Sequence, residues 1–525
     1  MSEDRSGPAA GGSGRWRGTA ADNRPRIEVH PGEVDLLITQ AEEALLETRG
    51  NVFQRGEHLV RPGQFQTFDA NRKTIAVPTL QVLTSASLVG ELSRAANWQK
   101  YDDRRQAWRI VDPPPAAVQG LLAGAGRWHL RSVAGVIACP TLRWDGTILS
   151  APGYDPSTRL FYLPDRGLTF EDFKENPSRD DALAALEIFE DLLSEFPFVS
   201  DSDRAVALSA IISPVVLGTL DMVPIHAFTA STPGSGKTLL SDIVNTIVSG
   251  RRIPVMTVGH TEDETEKRLG SMLLAGYSLI SIDNVLTEIG GSTLCQIGTS
   301  SIILIRVLGL TKMPECEFRG MVLANGNNLV IHADLVRRTL LARLDPGEER
   351  PELREFQANP LEIILADRGK YISAALTIVR AYIVAGSPTK MGPFGSFQEW
   401  SDKVRSALVW LGAGDPCETV REARESDPVL GTLRAVLKAW RSAFGDAPVT
   451  ARSLVDTAVS GGVLADALSQ IPDMRGGHDV VKLGYWLRKN KGRIVDGLRI
   501  AGAGVVHGGA AAWRCDEVRP KAGAV

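Results

Sequence analysis

The chain has 525 residues, 43% hydrophobic and 23% charged, a normal globular balance in a length too great for one ordinary core, so two to four domains are expected. A formal net charge of −4 excludes a whole-protein attraction to nucleic acid and requires any such contact to be local. Five scattered cysteines without a CxxC pair point to neither a disulfide framework nor a zinc site; a polar N-terminus and the lack of any run near about 18 apolar residues argue against secretion and membrane spanning, so a cytoplasmic protein is expected.

Residues 1–26 are rich in Gly, Ser, Ala and Arg, the composition of a disordered tail; nucleic-acid contact through Arg15, Arg17, Arg24 and Arg26 is the alternative. A first, α+β domain is expected over 27–165. Helical spacing runs from Val34 to Arg49, strand-like pieces follow at Val52–Phe53, His58–Arg61 and Ile75–Val77, and a helix is expected near Ala116–Ala123. Turn signals at Asp145-Gly146 and Gly153-Tyr154-Asp155-Pro156 close this region. A polar stretch before Pro113 carries Trp98, Lys100, Arg104, Arg105 and Trp108; it suits nucleic acid, and exposed loops with ordinary aromatic packing explain it equally well. No pair of metal-binding acids on a strand and no zinc motif is readable here, so no polymerising primase site is expected.

Residues 180–217 read as two helices, the first with Leu183, Leu186, Phe189, Leu192 and Leu193 on one face, the second from Asp201 to Val216 with a capping-type start. The apolar run Ile225–Ala230 then leads into Ser231-Thr232-Pro233-Gly234-Ser235-Gly236-Lys237-Thr238 and a helix-like segment, Leu239–Val248. Strand, glycine-rich loop and helix, ending in a lysine and a hydroxyl, make a phosphate-cradling P-loop in which Pro233, Gly234, Ser235 and Gly236 form the cradle. Lys237 would reach the β- and γ-phosphates of ATP and Thr238 would place its hydroxyl on Mg²⁺.

The strand-like Tyr277–Asn284 ends in Asp283, 46 residues after Lys237, where a metal-supporting carboxylate is required. Asn284 occupies the slot in which a hydrolytic ATPase usually has a second acid. Either Asn284 positions water weakly, or another carboxylate such as Glu264 or Glu288 helps. Next, Gly320–Asn328 ends in an amide-rich turn; Asn327 is the candidate sensor of the γ-phosphate or attacking water, with Asn325 in support, and a plain turn is the alternative. Arg337 and Arg338, before the strand-like Thr339–Leu344, are candidates for a finger reaching a neighbouring subunit's phosphate, against simple surface ion pairing.

In this order and spacing the four elements resemble the superfamily-three helicase branch of the AAA+ ATPases. The chain further resembles the primase-helicase-type ATP-binding proteins of prophages, plasmids and integrative elements, through Asp145-Gly-Thr-Ile-Leu-Ser-Ala-Pro-Gly-Tyr-Asp-Pro-Ser-Thr158, Glu195-Phe-Pro-Phe198, Ile282-Asp-Asn-Val285, Arg306-Val-Leu-Gly309, Gly326-Asn-Asn328, Asp334-Leu-Val-Arg-Arg338, Arg343-Leu-Asp-Pro346 and Phe397-Gln-Glu-Trp400 through Pro416. The resemblance covers roughly 30–515, with Ser231 in the first P-loop slot and Asn325 where the group usually has Thr. It implies an α/β AAA+ P-loop core, over 180–415 with helical flanks, in a ring-forming, hexameric motor that replicates a mobile element alongside a separate primase or other replication proteins. It also implies a DNA-tracking hairpin: Ile302–Leu308, a turn at Gly309–Thr311, and Lys312–Phe318, with Arg306 on one arm and Lys312 near the tip.

Residues 427–517 read as helices at Pro428–Ala443, Thr450–Val459, Val463–Gln470 and Val480–Asn490, then strands at Arg493–Ile500 and Ala511–Cys515, an order resembling a winged helix. Lys482, Arg488, Lys489, Lys491 and Arg493 crowd the fourth helix and its exit, which suits DNA; a protein-docking winged helix is the alternative, and Trp486 is expected in the core. The leading expectation is an ATP-dependent DNA helicase or translocase. The others are an ATP-switched DNA-binding initiator or loader, motivated by Asn284, and a protein-remodelling effector.

Overall fold

The computed structural model describes residues 23–48, 51–68, 73–165, 167–170, 173–259, 261–285, 288–305, 313–331, 334–354, 356–425, 428–474, 477, 479–505 and 509–518. The N-terminal tail to residue 22 lies outside them. The chain is a mixed α/β protein with a parallel sheet at its centre.

The N-terminal part begins with strand β1 (Arg26–Glu28) and helix α1 (Val34–Glu47), then strands β2 (Phe53–Arg55), β3 (His58–Phe68) and β4 (Thr74–Val82). Helix α2 (Ser85–Ala95), strands β5 (Asn97–Asp102) and β6 (Ala107–Ile110) and helix α3 (Pro115–Leu122) follow. β1, β5 and β6 form one sheet, β1 parallel to β5 and β5 antiparallel to β6. The three helices cover one face of it, burying Leu37, Leu45, Leu88, Leu92 and Leu121 against Ile27 and Trp98.

Three expectations change here. The strand-like pieces at His58–Arg61 and Ile75–Val77 are parts of one long hairpin that pairs Val60 with Val82 and continues to Phe68 opposite Thr74. α2, closed by a Thr84–Ser87 capping box, lacked a reading from sequence. The polar stretch from Trp98 to Trp108 is the β5–β6 hairpin, and it splits the two tryptophans: Trp98 is 1% exposed in the core and Trp108 is 41% exposed.

Helices α4 (Arg179–Leu192) and α5 (Asp201–Val215) lead into strand β7 (Ile225–Ala230), helix α6 (Lys237–Ser249), strand β8 (Val255–Thr257), helix α7 (Glu262–Leu274) and strand β9 (Leu279–Val285). The short antiparallel pair β10 (Ile302–Leu304) and β11 (Glu315–Glu317) precedes β12 (Met321–Asn327), β13 (Thr339–Leu344) and helix α8 (Arg368–Val384). Five strands form a parallel sheet in the order β8-β9-β12-β7-β13. Residue alternation sorts the sheet's side chains. Phe228, Ala230 and Leu323 join α4, α5, α6 and α8 on one face, while Ala227, Ile280, Ile282 and Ala324 join α7 on the other.

A buried guanidinium joins the N-terminal part to this sheet. Arg55, 4% exposed, donates to the carbonyls of Val133, Ala134, Leu273 (2.9 Å) and Glu317 (2.8 Å), so β2 is tied to the end of α7 and to β11. A Cβ on Gly56 would stand 2.2 Å from the Glu315 carbonyl oxygen, so only glycine permits this approach.

The C-terminal part contains helices α9 (Pro428–Phe444), α10 (Ala451–Val459), α11 (Val463–Ser469) and α12 (Val480–Lys489). With them are strands β14 (Val449–Thr450), β15 (Ile494–Val495), β16 (Leu498–Val505) and β17 (Ala511–Glu517), paired in the order β14-β17-β16-β15. The expected single strand Arg493–Ile500 is instead a hairpin, because Asp496 (φ +49°) and Gly497 (φ +75°) both adopt the left-handed turn that two-residue hairpins favour. Trp486 packs against this part's core. No described helix is long and apolar enough to cross a membrane.

The fully buried Asp203 of α5 accepts from the Arg343 backbone N–H (2.8 Å), Nε (3.2 Å) and Nη2 (3.1 Å) on β13, and from Ser200 Oγ (2.6 Å). Asp203→Ala strands those donors, and the expected cost is about 3 kcal/mol. A differential-scanning melt of the full chain checks this; an unchanged melting temperature would refute the role given to the pair.

Candidate nucleotide site

The site forms at the C-terminal edge of the parallel sheet. Ser231–Gly236 leaves β7 and turns into α6 through two left-handed glycines, Gly234 (φ +76°) and Gly236 (φ +94°). Gly236 is the N-cap of α6 and supplies no side-chain acceptor, so the first N–H groups of the helix are open to an anion. The loop is walled by later sequence. A Cβ on Gly234 would come within 2.7–2.9 Å of Glu352, and one on Gly236 within 3.1 Å of the Phe196 ring. Phe196 in turn packs on Phe356, centroids 5.3 Å apart. Sequence reading missed this wall, since only the fold brings 196 and 352–356 to the loop.

Lys237 is buried with its ammonium turned into the loop, donating to the Thr232 carbonyl (3.0 Å) and Ser235 Oγ (2.8 Å); Ser235 Oγ also donates to Thr232 O (3.0 Å). Burial lowers its pKa, and the Asp283 charge offsets this only in part. A phosphate beside it would supply the missing anion. Pro233 stands exposed on the loop.

Thr238 donates Oγ1 to Asp283 Oδ2 at 3.4 Å, so two residues 45 positions apart converge at the start of α6. A hydroxyl and a carboxylate are hard oxygen donors, and this pair fits Mg²⁺. Asn284 follows at φ +55°, where β9 shifts register against β12, and its N–H donates to Asp283 Oδ1 (2.8 Å). Asparagine tolerates this backbone, so residue 284 has a conformational role here.

Asn327 lies opposite Ala230, the last residue before the loop, and is exposed. Asn325, one step back on the same face, is buried and exchanges hydrogen bonds with Ser241 of α6 at 3.0–3.1 Å. Asn325 thus ties β12 to the loop helix, while Asn327 stays exposed at the sheet edge. Asn328 turns the chain at φ +46°.

Of the two carboxylates considered with Asn284, Glu264 sits on α7, paired with Arg268, which donates to Thr257 O (3.0 Å) and Oγ1 (2.9 Å). Thr257 is registered directly opposite Asp283. Glu264 is therefore at the same sheet edge, one strand beyond the metal-type pair. Glu288 opens the short strand Glu288–Ile289, and its side chain is outside the described ones.

Arg337 and Arg338 are not brought to this edge. β13 starts at Thr339 opposite Ile225 and runs parallel to β7, so both arginines lie at the far end of the sheet, about a strand length of ~17 Å from the loop. Arg337 is exposed, 3.8 Å from Asp334. Neither serves the chain's own loop. Arg306 and Lys312 lie outside the described residues; the arms of their hairpin pair from Ile302–Glu317 to Leu304–Glu315. On α12, Lys482, Arg488 and Lys489 are exposed, with Arg488 over the Tyr485 ring at 5.0 Å, and Lys491 is exposed just beyond.

No protein-family model and no curated protein sequence matches the chain. Among solved structures it is similar to the A-form apo structure of the NrS-1 C-terminal region, at TM-score 0.35 and 11% identity over 91% of this chain and 100% of that one. It is also similar to the SCCmec type IV Cch active helicase, at TM-score 0.33 and 10% identity over 89% and 98%. A third is JCV helicase, at TM-score 0.20 and 13% identity over 50% and 72%. Likenesses of this size do not establish a shared function, and the functional reading stands on the site residues.

Two measurements test the loop. Gly234→Ala forces a Cβ onto a left-handed backbone against Glu352, and a strain of about 1–3 kcal/mol should weaken nucleotide binding roughly 5- to 150-fold by calorimetry. A bound phosphate raises the lowered Lys237 pKa, so at alkaline pH binding takes up protons and affinity falls as pH rises through the free-state value. Calorimetry in buffers of different ionisation enthalpy should show this uptake in the native chain and lose it in Lys237→Ala.

Proposed function

We propose that the chain is an ATP-dependent DNA helicase or translocase of the AAA+ type, in the superfamily-three branch, acting in replication of a mobile genetic element. The observation that carries this is the gathering of Lys237, Thr238, Asp283 and Asn327 at one edge of a parallel sheet, with Arg337 and Arg338 at the other. Lys237 would hold the β- and γ-phosphates, and Thr238 with Asp283 would hold Mg²⁺. The ion, when bound, would supply charge neutralisation for the phosphates. Asn327 would donate to the γ-phosphate or orient water. Glu264 is our candidate for the acid that accepts the water proton, since it is linked through Arg268 to Thr257, the residue registered opposite Asp283, while Asn284 carries no acid.

An arginine too far from its own loop can act only on another copy's nucleotide, which supports a ring, of which a homo-hexamer is the expected form. The exposed cationic face of α12 and its exit supports a winged-helix-like DNA contact over 427–517, and Arg306 and Lys312 are proposed as further DNA contacts. The cytoplasm, with other replication proteins, is the proposed setting.

Asn284 favours a second reading: an ATP-switched DNA-binding initiator or loader that hydrolyses slowly. The test is ATP hydrolysis with and without DNA, alongside strand separation on a forked duplex. Lys237→Ala and Asp283→Ala should abolish both, and Glu264→Gln should lower kcat about 100-fold with KM little changed. Arg337→Ala or Arg338→Ala chains should regain turnover when mixed with Lys237→Ala chains. A folded, ATP-binding protein without DNA-stimulated hydrolysis or strand separation refutes the motor; ATP-dependent DNA binding with slow turnover selects the initiator.

A further inference from the structure

The β5–β6 hairpin of the N-terminal sheet carries groups that neither the fold nor the nucleotide site uses. The helices α1, α2 and α3 cover the face that holds Trp98. On the opposite face Tyr101 lies directly across from Trp108, their rings 5.4 Å apart and near perpendicular, and the His30 ring meets Trp108 at 5.9 Å. Tyr101 is 38% exposed, Trp108 41% and Ile110, further along the strand, 77%. A contiguous aromatic and aliphatic face of this kind is costly to leave in water and marks a contact surface.

The charges around it indicate what the contact is. On the other side of the same hairpin Lys100 lies directly across from Arg109, a like-charge pair that destabilises a ladder unless an anion joins it. Asp102 offsets Arg109 (3.3 Å) and reaches Arg105 (4.0 Å), while Lys100 and Arg104 are exposed and form no ion pair with a carboxylate among the described residues. The acids nearby are Asp102 and Asp103 at the turn, Asp112 just past β6, and Glu28, which is bonded to His30 (3.4 Å). Flat rings on one side of a β-ribbon, with cations clustered at its turn and on its other side, match unstacked bases joined by phosphates. A duplex keeps its bases stacked inside and would leave the rings unused.

We propose that this hairpin is a binding site for single-stranded nucleic acid, with bases stacked on Trp108 and Tyr101 and the backbone held by Lys100, Arg104, Arg105 and Arg109. The site shares the nucleic-acid partner of the motor reading and does not depend on its ATP chemistry. It would hold a strand before or after the ring engages it.

The test uses the full chain without ATP and fluorescein-labelled oligothymidylate and oligouridylate, read by anisotropy, with a duplex as competitor. Tyr101→Ala and Trp108→Ala should each lower affinity about tenfold, Tyr101→Phe and Trp108→Phe should retain most of it, and duplex should compete poorly. Arg104→Ala should reduce the salt dependence of binding. The ring effects should persist in a Lys237→Ala background, so failure of the motor leaves this result standing, and loss of this site leaves DNA-free hydrolysis unchanged. The two probes separate DNA from RNA as the ligand. An affinity changed by less than about twofold in the Tyr101→Ala/Trp108→Ala double variant refutes the site. So does a shift in its sedimenting mass without an affinity change, which would assign the face to contact between copies.

Discussion

The site depends on one constraint, the parallel ladder of the central sheet. Parallel strands end at the same edge, and the order β8-β9-β12-β7-β13 sets the strand that carries Asn327 between the loop strand and the strand that carries Asp283. Asn327 reaches the loop only because it is registered with Ala230, and Asp283 reaches Thr238 only because β9 continues past its Ile282–Ala324 pair. A slip of one residue in either ladder would turn Asn327 and Asp283 to the other face. The same ladder sends Arg337 and Arg338 to the opposite end, so the geometry that gathers the proposed phosphate site also withholds these arginines from it.

That ladder is held from several directions. Asp203 locks β13 to α5, Asn325 locks β12 to α6 through Ser241, and Phe196 with Glu352 closes on the loop glycines. These contacts fix the loop while Lys237 is charged and desolvated within it. The ammonium finds a carbonyl and a hydroxyl but no direct carboxylate, an arrangement that disfavours its charge. The loop is therefore preorganised for an anion, and binding recovers what burial costs.

Much of this was legible in sequence, for a physical reason. Buried parallel strands are continuous apolar runs, so Ile225–Ala230 and Thr339–Leu344 are observed at the bounds expected for them. The loop residues and Asp283 share a compact motif. Long-range packing was not legible: no local pattern brings Phe196 or Glu352 to the loop, or places Arg268 across Thr257. Trp98 and Trp108 have similar neighbours in sequence and opposite fates, because strand parity and hairpin register decide which face each takes. The Asp496-Gly497 turn, by contrast, has a local signal, since this dipeptide favours a two-residue hairpin.

Asn284 stands out in sequence as a residue where an acid is expected, and the fold adds a conformational role. From sequence it is a missing acid. In the fold it is the left-handed step that lets β9 change register just after Asp283, with its N–H fixing the Asp283 carboxylate. A glutamate there would meet a steric penalty that asparagine largely avoids. The backbone that aims Asp283 at Thr238 thus disfavours a long acid at the next position, and the adjoining strand is the nearest place from which one can be supplied. The Glu264–Arg268–Thr257 chain occupies that place. Metal support would then sit on β9 and proton acceptance on α7, and their spacing would respond to any movement of α7 against the sheet. α7 ends at the carbonyls held by Arg55 and by Leu80 of the N-terminal part. The N-terminal part, which carries none of the proposed nucleotide-binding residues, is thereby in contact with the helix whose position sets the proposed base.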